Sequence, residues 1–266
     1  MCGSCISLYV ATHLMEIPKQ LDLLKELFKR DKFILCILDA CRFDFFDRVW
    51  RDYPWLTSRA TYYARVWSVG SHTLDFLEIV REYLPTNLVY ISANPHTALV
   101  KLPCVVDQVW DWGWCEELKT VHPRTIVLAV IRWLLRGYRR LIVHFVQPHE
   151  PFIGRTKLIR GNLWQTRYFI KTGKIGIPDG MLDVDPDLLK RGYEDNLRLV
   201  IEAGVHGVLR LASRYGIGTV VITSDHGEVL DEYTPQPPFY DRHPRGLAWR
   251  ILREVPWLEV QTISRA

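Results

Sequence analysis

Four short runs stand out along the chain: Phe33 to Leu38, Asn87 to Ser92, Leu141 to Val146 and Gly218 to Thr223. Each is nearly continuous in apolar residues, several of them β-branched, the pattern of a strand buried on both faces. Between them, Ile17 to Arg30, Leu74 to Leu84, Pro123 to Arg136 and Pro186 to Arg214 place apolar residues three and four positions apart. That spacing predicts helices with one covered face. Alternation of the two patterns predicts an α/β fold, a mostly parallel sheet covered by helices on both sides. The stretch from Gly154 to Asp185 is rich in Gly, Lys, Arg and Asp and has no clear period, so it predicts a long excursion of the kind that lies over an active site. With no internal repeat and no domain boundary evident, the expected organisation is an N-terminal segment and leading helix over residues 1–32, then a single domain over 33–266.

Composition supports this picture and narrows the partners. In the 266 residues, 48% are hydrophobic and 24% charged, enough for a sizeable core and for a solvated surface. The net charge of +4, from 34 basic and 30 acidic residues, is too small an excess for a nucleic-acid footprint but leaves an anionic substrate open. Six cysteines are too sparse for a secreted disulfide framework, and Cys2 and Cys5 form a lone CxxC with no second pair to complete a zinc site. The first fifteen residues lack a basic leader and a small-residue cleavage site, so the expected location is cytoplasmic. Arg132, Arg136, Arg139 and Arg140 interrupt the apolar stretch from Thr125 to Val146, which is read as a helix and a strand and not as a membrane span. Trp110, Trp112 and Trp114 suit core packing or loop anchoring better than sugar stacking.

In open α/β sheets ligands bind beyond the carboxyl ends of the strands, so the residues that follow each apolar run carry the functional information. Here they are polar. FILCIL ends in Asp39-Ala40-Cys41-Arg42, LIVHFV in Gln147-Pro148-His149-Glu150, and TVVIT in Ser224-Asp225-His226-Gly227-Glu228. Any one of these could be a turn former or a helix cap. Three together deliver carboxylates and imidazoles to one sheet edge, a donor set suited to a divalent cation that would polarise a phosphoryl or sulfuryl oxygen.

A nucleophile belongs at another loop-to-helix junction, where free N–H groups and the helix dipole favour an anion. Val69-Gly70-Ser71-His72-Thr73-Leu74 offers one, and Ser71 and Thr73 are both candidates there, for attack or simply for capping. A hydroxyl is a weak nucleophile at neutral pH; proximity to a metal would activate it.

At these residues the chain resembles the alkaline phosphatase and sulfatase superfamily, and within it the sulfatase-like proteins common in archaea. The resemblance runs from about Phe33 to Val260 and rests on ILDACRFD from Ile37, GSHT from Gly70, VHFVQPHEPF from Val143, YEDNL from Tyr193, TSDHGE from Thr223, and RHP from Arg242 followed by LREVPWLEV. It implies a three-layer α/β/α sandwich in which Asp39, Asp225 and His226 hold a divalent ion that also meets the nucleophile. It further implies that His149 binds substrate or assists the leaving group, that His243 completes a second metal or anion site, and that Arg42 pairs with the anion. No cysteine stands in the Cys-x-Pro-x-Arg setting that formylglycine sulfatases require. The single Asp39 and the Asp-His pair resemble instead the phosphoester-cleaving and phosphoglycerol-transferring branches, in which a Thr before the helix attacks; this favours Thr73, with Ser71 as competitor.

The expected activity is therefore metal-dependent hydrolysis or transfer of a phosphate ester. The expected cofactor is one or two ions of zinc, manganese, magnesium or calcium. Expected substrates are small-molecule, glycan-linked or lipid-linked phosphate or sulfate esters, with neither nucleic acid nor a membrane span involved. Sulfate-ester hydrolysis is the nearest alternative. A different class, a non-catalytic binding module of the same fold, draws its support from the proline- and aromatic-rich stretch Tyr233 to Tyr240.

Overall fold

The computed structural model describes residues 17–159, 163–175, 185–230, 232 and 243–262. The Cys2–Cys5 pair, part of the excursion after Gly154, and the stretch 233–240 lie outside the described residues.

Seven strands form the central sheet: β1 (Phe33–Leu38), β2 (Ala60–Trp67), β3 (Val89–Ser92), β4 (Val105–Gln108), β5 (Arg140–Phe145), β6 (Thr219–Thr223) and β7 (Glu254–Gln261). Their order is β2-β7-β6-β1-β5-β3-β4. The pairs β6–β1, β1–β5, β5–β3 and β3–β4 are parallel, and β7 runs antiparallel to both β6 and β2. All six β1 residues are buried, as its uninterrupted apolar sequence requires of a strand at the centre of a covered sheet.

Side-chain alternation along β1 sorts the core into two halves. Ile34, Cys36 and Leu38 face one hydrophobic cluster with α2 (Phe43–Val49), α4 (Pro123–Leu135), α6 (Pro186–Val200) and α7 (His206–Arg214). Phe33, Leu35 and Ile37 face the other, with α1 (Gln20–Phe28) and α3 (Thr73–Val80). Helices thus cover both faces and make the three layers. The α1 helix shares this core through Leu24, Leu27 and Phe28. Its buried Gln20 amide donates to Thr223 Oγ1 at 2.9 Å and to the Ser224 carbonyl at 2.6 Å, tying the leading helix to the end of β6.

The four strands predicted from apolar runs and the four predicted helices are present, with the last helical pattern interrupted by a π-helical turn at Ile201–Val205. Of the sheet strands and the longer helices, five escaped the pattern: β2, β4, β7, α2 and α5 (Leu163–Thr172). The edge strand β2 exposes several of its residues and carries no apolar run. In β7, Pro256 and two glutamates break the run; Pro256 falls one residue beyond the pairing with β6, which ends at Trp257, where a missing N–H costs least. Inside the predicted excursion lies α5, which buries only Leu163 and so shows no apolar stripe. Among the described residues, no helix is long and apolar enough to cross a membrane.

Candidate active site

The sheet brings the ends of β1 and β6 side by side, with Ile37 in register with Thr223. Beyond that pair the chain turns sharply. Ala40 adopts a left-handed conformation at φ 57°, an uncommon and mildly strained state for a residue with a Cβ. The turn aims two N–H groups across the gap: Ala40 donates to Asp225 Oδ1 at 3.1 Å and Cys41 to Ser224 Oγ at 2.7 Å. Gly227 then passes against the following segment, donating to the Leu252 carbonyl at 2.8 Å, and a Cβ there would collide with the Ile251 carbonyl.

Thr73 enters from the N-terminus of α3, with His72 as the cap accepting the Leu74 N–H on Nδ1. Its buried hydroxyl donates to Asp225 Oδ2 at 2.8 Å and lies 3.2 Å from His226 Nε2. His226 donates from Nδ1 to the Gly227 carbonyl at 2.7 Å, which turns the other ring nitrogen toward the carboxylates. That nitrogen is 3.5 Å from Asp39 Oδ1 and 3.5 Å from Asp225 Oδ2. Asp39 is anchored through Oδ2 by the Asn94 amide at 2.6 Å, while its buried Oδ1 accepts no hydrogen bond.

Such an orphaned oxygen costs about 1–3 kcal/mol, and a cation between Asp39, Asp225, His226 and Thr73 would remove that cost. Two carboxylates, one imidazole and a hydroxyl suit zinc or manganese, so the residues fit a divalent ion. Burial, then the charge of Asp225, pushes the Asp39 carboxyl far above its usual range, to about 7. Burial acts the same way on Asp225, but His226 and His144 outweigh it and hold that carboxyl low.

A second set of ligand-type groups lies beside the first. His149 donates from Nδ1 to the Glu150 carbonyl at 2.6 Å; its Nε2 is 3.0 Å from His243 Nε2 and 3.9 Å from Glu228 Oε1. These three could hold a second cation. Burial disfavours the charged His149, but Glu228 and Asp39 prevail and raise it to about 9; burial and then the neighbouring imidazoles drive His243 well below its ordinary value. The His243 ring also packs 4.8 Å from His226 and 5.0 Å from His72, so the two sets share a wall of imidazoles.

Asp39, Thr73, Asp225 and His226 therefore meet in one place, with His149 and His243 together next to it. Ser71 and Arg42 do not join them. The Ser71 hydroxyl donates to the Pro244 carbonyl at 2.7 Å and accepts the Leu247 N–H at 3.1 Å, bracing the segment that carries His243. Arg42 is taken up by Asp44 at 2.8 Å, Glu232 at 2.5 Å and the Glu228 carbonyl at 3.3 Å. Sequence reasoning passed over Asn94, Glu228 and His144. His144 sits buried within β5, 3.6 Å from Asp225, and an imidazole inside an otherwise apolar strand was the available signal. Burial lowers it to about 4, so it is neutral at ordinary pH.

The sequence matches no protein-family model and no curated relative. Solved structures do match. The soluble domain of lipooligosaccharide phosphoethanolamine transferase A from Neisseria meningitidis superposes with a TM-score of 0.59 at 13% identity, over 86% of this chain and 75% of that one. A protein in the alkaline phosphatase superfamily from Vibrio parahaemolyticus gives 0.51 at 8%, over 88% and 62%. The fold is alkaline phosphatase-like. The C-terminal periplasmic domain of EcEptC from Escherichia coli, solved in complex with Zn, shares this alkaline phosphatase-like architecture at a TM-score of 0.52 and 12% identity, over 87% and 73%. Against the intact integral membrane transferase from Neisseria meningitidis the TM-score is 0.60 at 15% identity, and the chain, 87% of it aligned, spans about half that protein's length, 48%.

On this alkaline phosphatase-like frame the raised Asp39 gives a pH dependence with a definite sign. Below about pH 7 the carboxyl holds a proton that a cation must displace, so metal affinity is expected to fall by about tenfold between pH 8 and pH 6 and to level off above. Competition titration with a chromophoric chelator at the two pH values checks this; equal affinities would count against Asp39 as a ligand.

Proposed function

We propose that the chain is a metal-dependent enzyme that transfers or hydrolyses a phosphate ester through Thr73. The observation that carries the reading is the placement of the Thr73 hydroxyl, 2.8 Å from Asp225 and 3.2 Å from His226, at a helix N-terminus beside an unpartnered Asp39 oxygen. A helix N-terminus favours the anionic phosphoryl group, and the cluster orients the hydroxyl toward it. Asp39, Thr73, Asp225 and His226 would hold the ion, which supplies Lewis-acid stabilisation of negative charge.

The Thr73 oxygen attacks phosphorus in line with the departing oxygen, forming the Oγ1–P bond as the P–O bond to the leaving group breaks. The hydroxyl proton lies on the line to Asp225 Oδ2. In this reading the second set of groups holds no cation, and His149, whose raised pKa keeps it protonated at neutral pH, stands ready to give a proton to the leaving oxygen. Water cleaves the phosphothreonine in hydrolysis; an acceptor hydroxyl takes its place in transfer. The transferase named among the structural neighbours supports the choice of phosphorus over sulfur, as does the absence of a formylglycine setting. Kinship with archaeal sulfatase-like proteins is part of this proposal and rests on the sequence motifs.

The test is a side-by-side assay of metal-loaded protein with aryl phosphates, phosphodiesters and aryl sulfates, zinc being supplied first and manganese second. Turnover of phosphate substrates at least about 100-fold faster than sulfates is the expected result. Preferential sulfate cleavage would replace the substrate class. No turnover together with no metal uptake would favour the binding-module reading.

A further inference from the structure

We infer that His96 and Asn94 form a positioning pair that orients Asp39 so that its Oδ1 faces the proposed metal site and fixes the Thr73 hydroxyl beside it. This rests on the proposed metal site and adds two residues to it.

Asn94 follows β3 and is almost fully buried, 1% exposed. Its backbone is locked first: Ser92 Oγ accepts the Asn94 N–H at 3.0 Å and bonds its carbonyl at 2.9 Å, and Thr97 Oγ1 donates to the same carbonyl at 2.8 Å. The side-chain amide is then oriented from both ends. At one end, the His96 backbone N–H lies 2.9 Å from the amide oxygen, and a backbone N–H can only donate. At the other, the contact with Asp39 Oδ2 at 2.6 Å faces a carboxylate, which in its ligating state can only accept. The amide therefore has one orientation, Oδ1 toward His96 and Nδ2 toward the site.

The His96 ring reinforces it. Its Nδ1 lies 2.9 Å from the same amide oxygen, so the Nδ1 position carries the proton. Burial and the nearby imidazoles lower His96 to about 3, consistent with a neutral ring bearing that single proton. An asparagine serving only as the cap of the turn at Pro95–Ala98 would need the backbone N–H alone. Capping explains neither the imidazole on Oδ1 nor the aim of Nδ2.

That aim has two effects. Nδ2 engages Asp39 Oδ2 and leaves Oδ1 without a hydrogen bond, so Oδ1 is the oxygen that would face a cation first. Nδ2 also lies 3.4 Å from Thr73 Oγ1, where an amide N–H favours the oxygen as it gains negative charge. Supports of this kind for metal ligands typically change affinity or activity by about 10- to 100-fold.

The experiment compares zinc affinity, by chelator competition, and steady-state kinetics for the full chain and for Asn94→Ala, His96→Leu and His96→Asn, with Asp225→Ala alongside. Asparagine at 96 places an N–H close to the position of Nδ1, whereas leucine supplies none. Asn94→Ala is expected to bind zinc about 10- to 100-fold more weakly and to lose kcat with little change in KM. His96→Leu should lose about threefold to tenfold in affinity, and His96→Asn should recover to within about twofold. Should Asn94→Ala fail to fold, His96, which is less buried than Asn94, still permits the comparison of its two variants. Native affinity and kcat in Asn94→Ala, or equal losses in both His96 variants, would overturn the pair while leaving the metal site standing. An unmodified chain that binds no more zinc than Asp225→Ala would remove the metal site, and the pair with it.

Discussion

Thr73→Ala is expected to abolish covalent phosphoenzyme formation and to lower kcat/KM by about 10³-fold or more, because the attacking atom is removed. The fold should survive, since the lost hydroxyl donates to a single carboxylate oxygen, and zinc content should stay measurable through Asp39, Asp225 and His226. Ser71→Ala is the matched comparison. Its hydroxyl braces Pro244 and Leu247, so the expected cost is about 1–2 kcal/mol of stability and less than about tenfold in turnover. Single-turnover trapping with a radiolabelled aryl phosphate separates the two. A labelled Ser71 with an inert Thr73 would reverse the assignment of the nucleophile.

Asp225→Ala should have the wider effect. This carboxylate accepts from the Ala40 N–H, from its neighbour His226 N–H and from Thr73, and stands against both His226 and His144. Its removal takes away a metal ligand and leaves buried donors unpaired, each costing about 1–3 kcal/mol. The expected result is loss of bound zinc by elemental analysis, loss of turnover, and a lower midpoint in denaturant that added zinc no longer raises. In the unmodified chain, zinc should raise that midpoint, through a stabilisation of about 2.7 kcal/mol at a hundredfold excess over Kd. A metal-free Asp225→Ala protein with full turnover would end the proposed mechanism.

The central strands could be read from sequence because burial on both faces leaves no room for polar interruption, as FILCIL and TVVIT show. The helices could be read where one face is buried deeply, as with Phe76, Leu77 and Val80 in α3. The antiparallel margin could not, since β2 is half exposed and β7 carries a proline and two acids. The same distinction holds at the site. Asp39, Asp225 and His226 directly follow apolar runs and announce themselves by contrast. Asn94 follows a strand too, but Ser-Ala-Asn-Pro reads as a turn, and it is one, so the second use of its side chain leaves no trace in the pattern. Between Ser71 and Thr73 spacing gives no preference. The structure separates them by direction, one hydroxyl toward Pro244 and the other toward Asp225. Arg42 shows the converse: a cation next to the site in sequence whose charge is already met by Asp44 and Glu232.

The pairing of β1 with β6 joins Ile37 to Thr223, so the two halves of the cluster are made far apart in time as the chain is synthesised. A nascent chain emerging from the ribosome displays Asp39, Thr73 and His149 long before Asp225 and His226 exist to meet them. Until β6 docks, β1 has one open side and the histidine and carboxylate donors are scattered. Contacts of such sequence separation form late and slowly. A cation at the proposed site would therefore find its full set of ligands only once β6 has docked, and would act as a seal on a finished topology, not as a nucleus around which the chain collects.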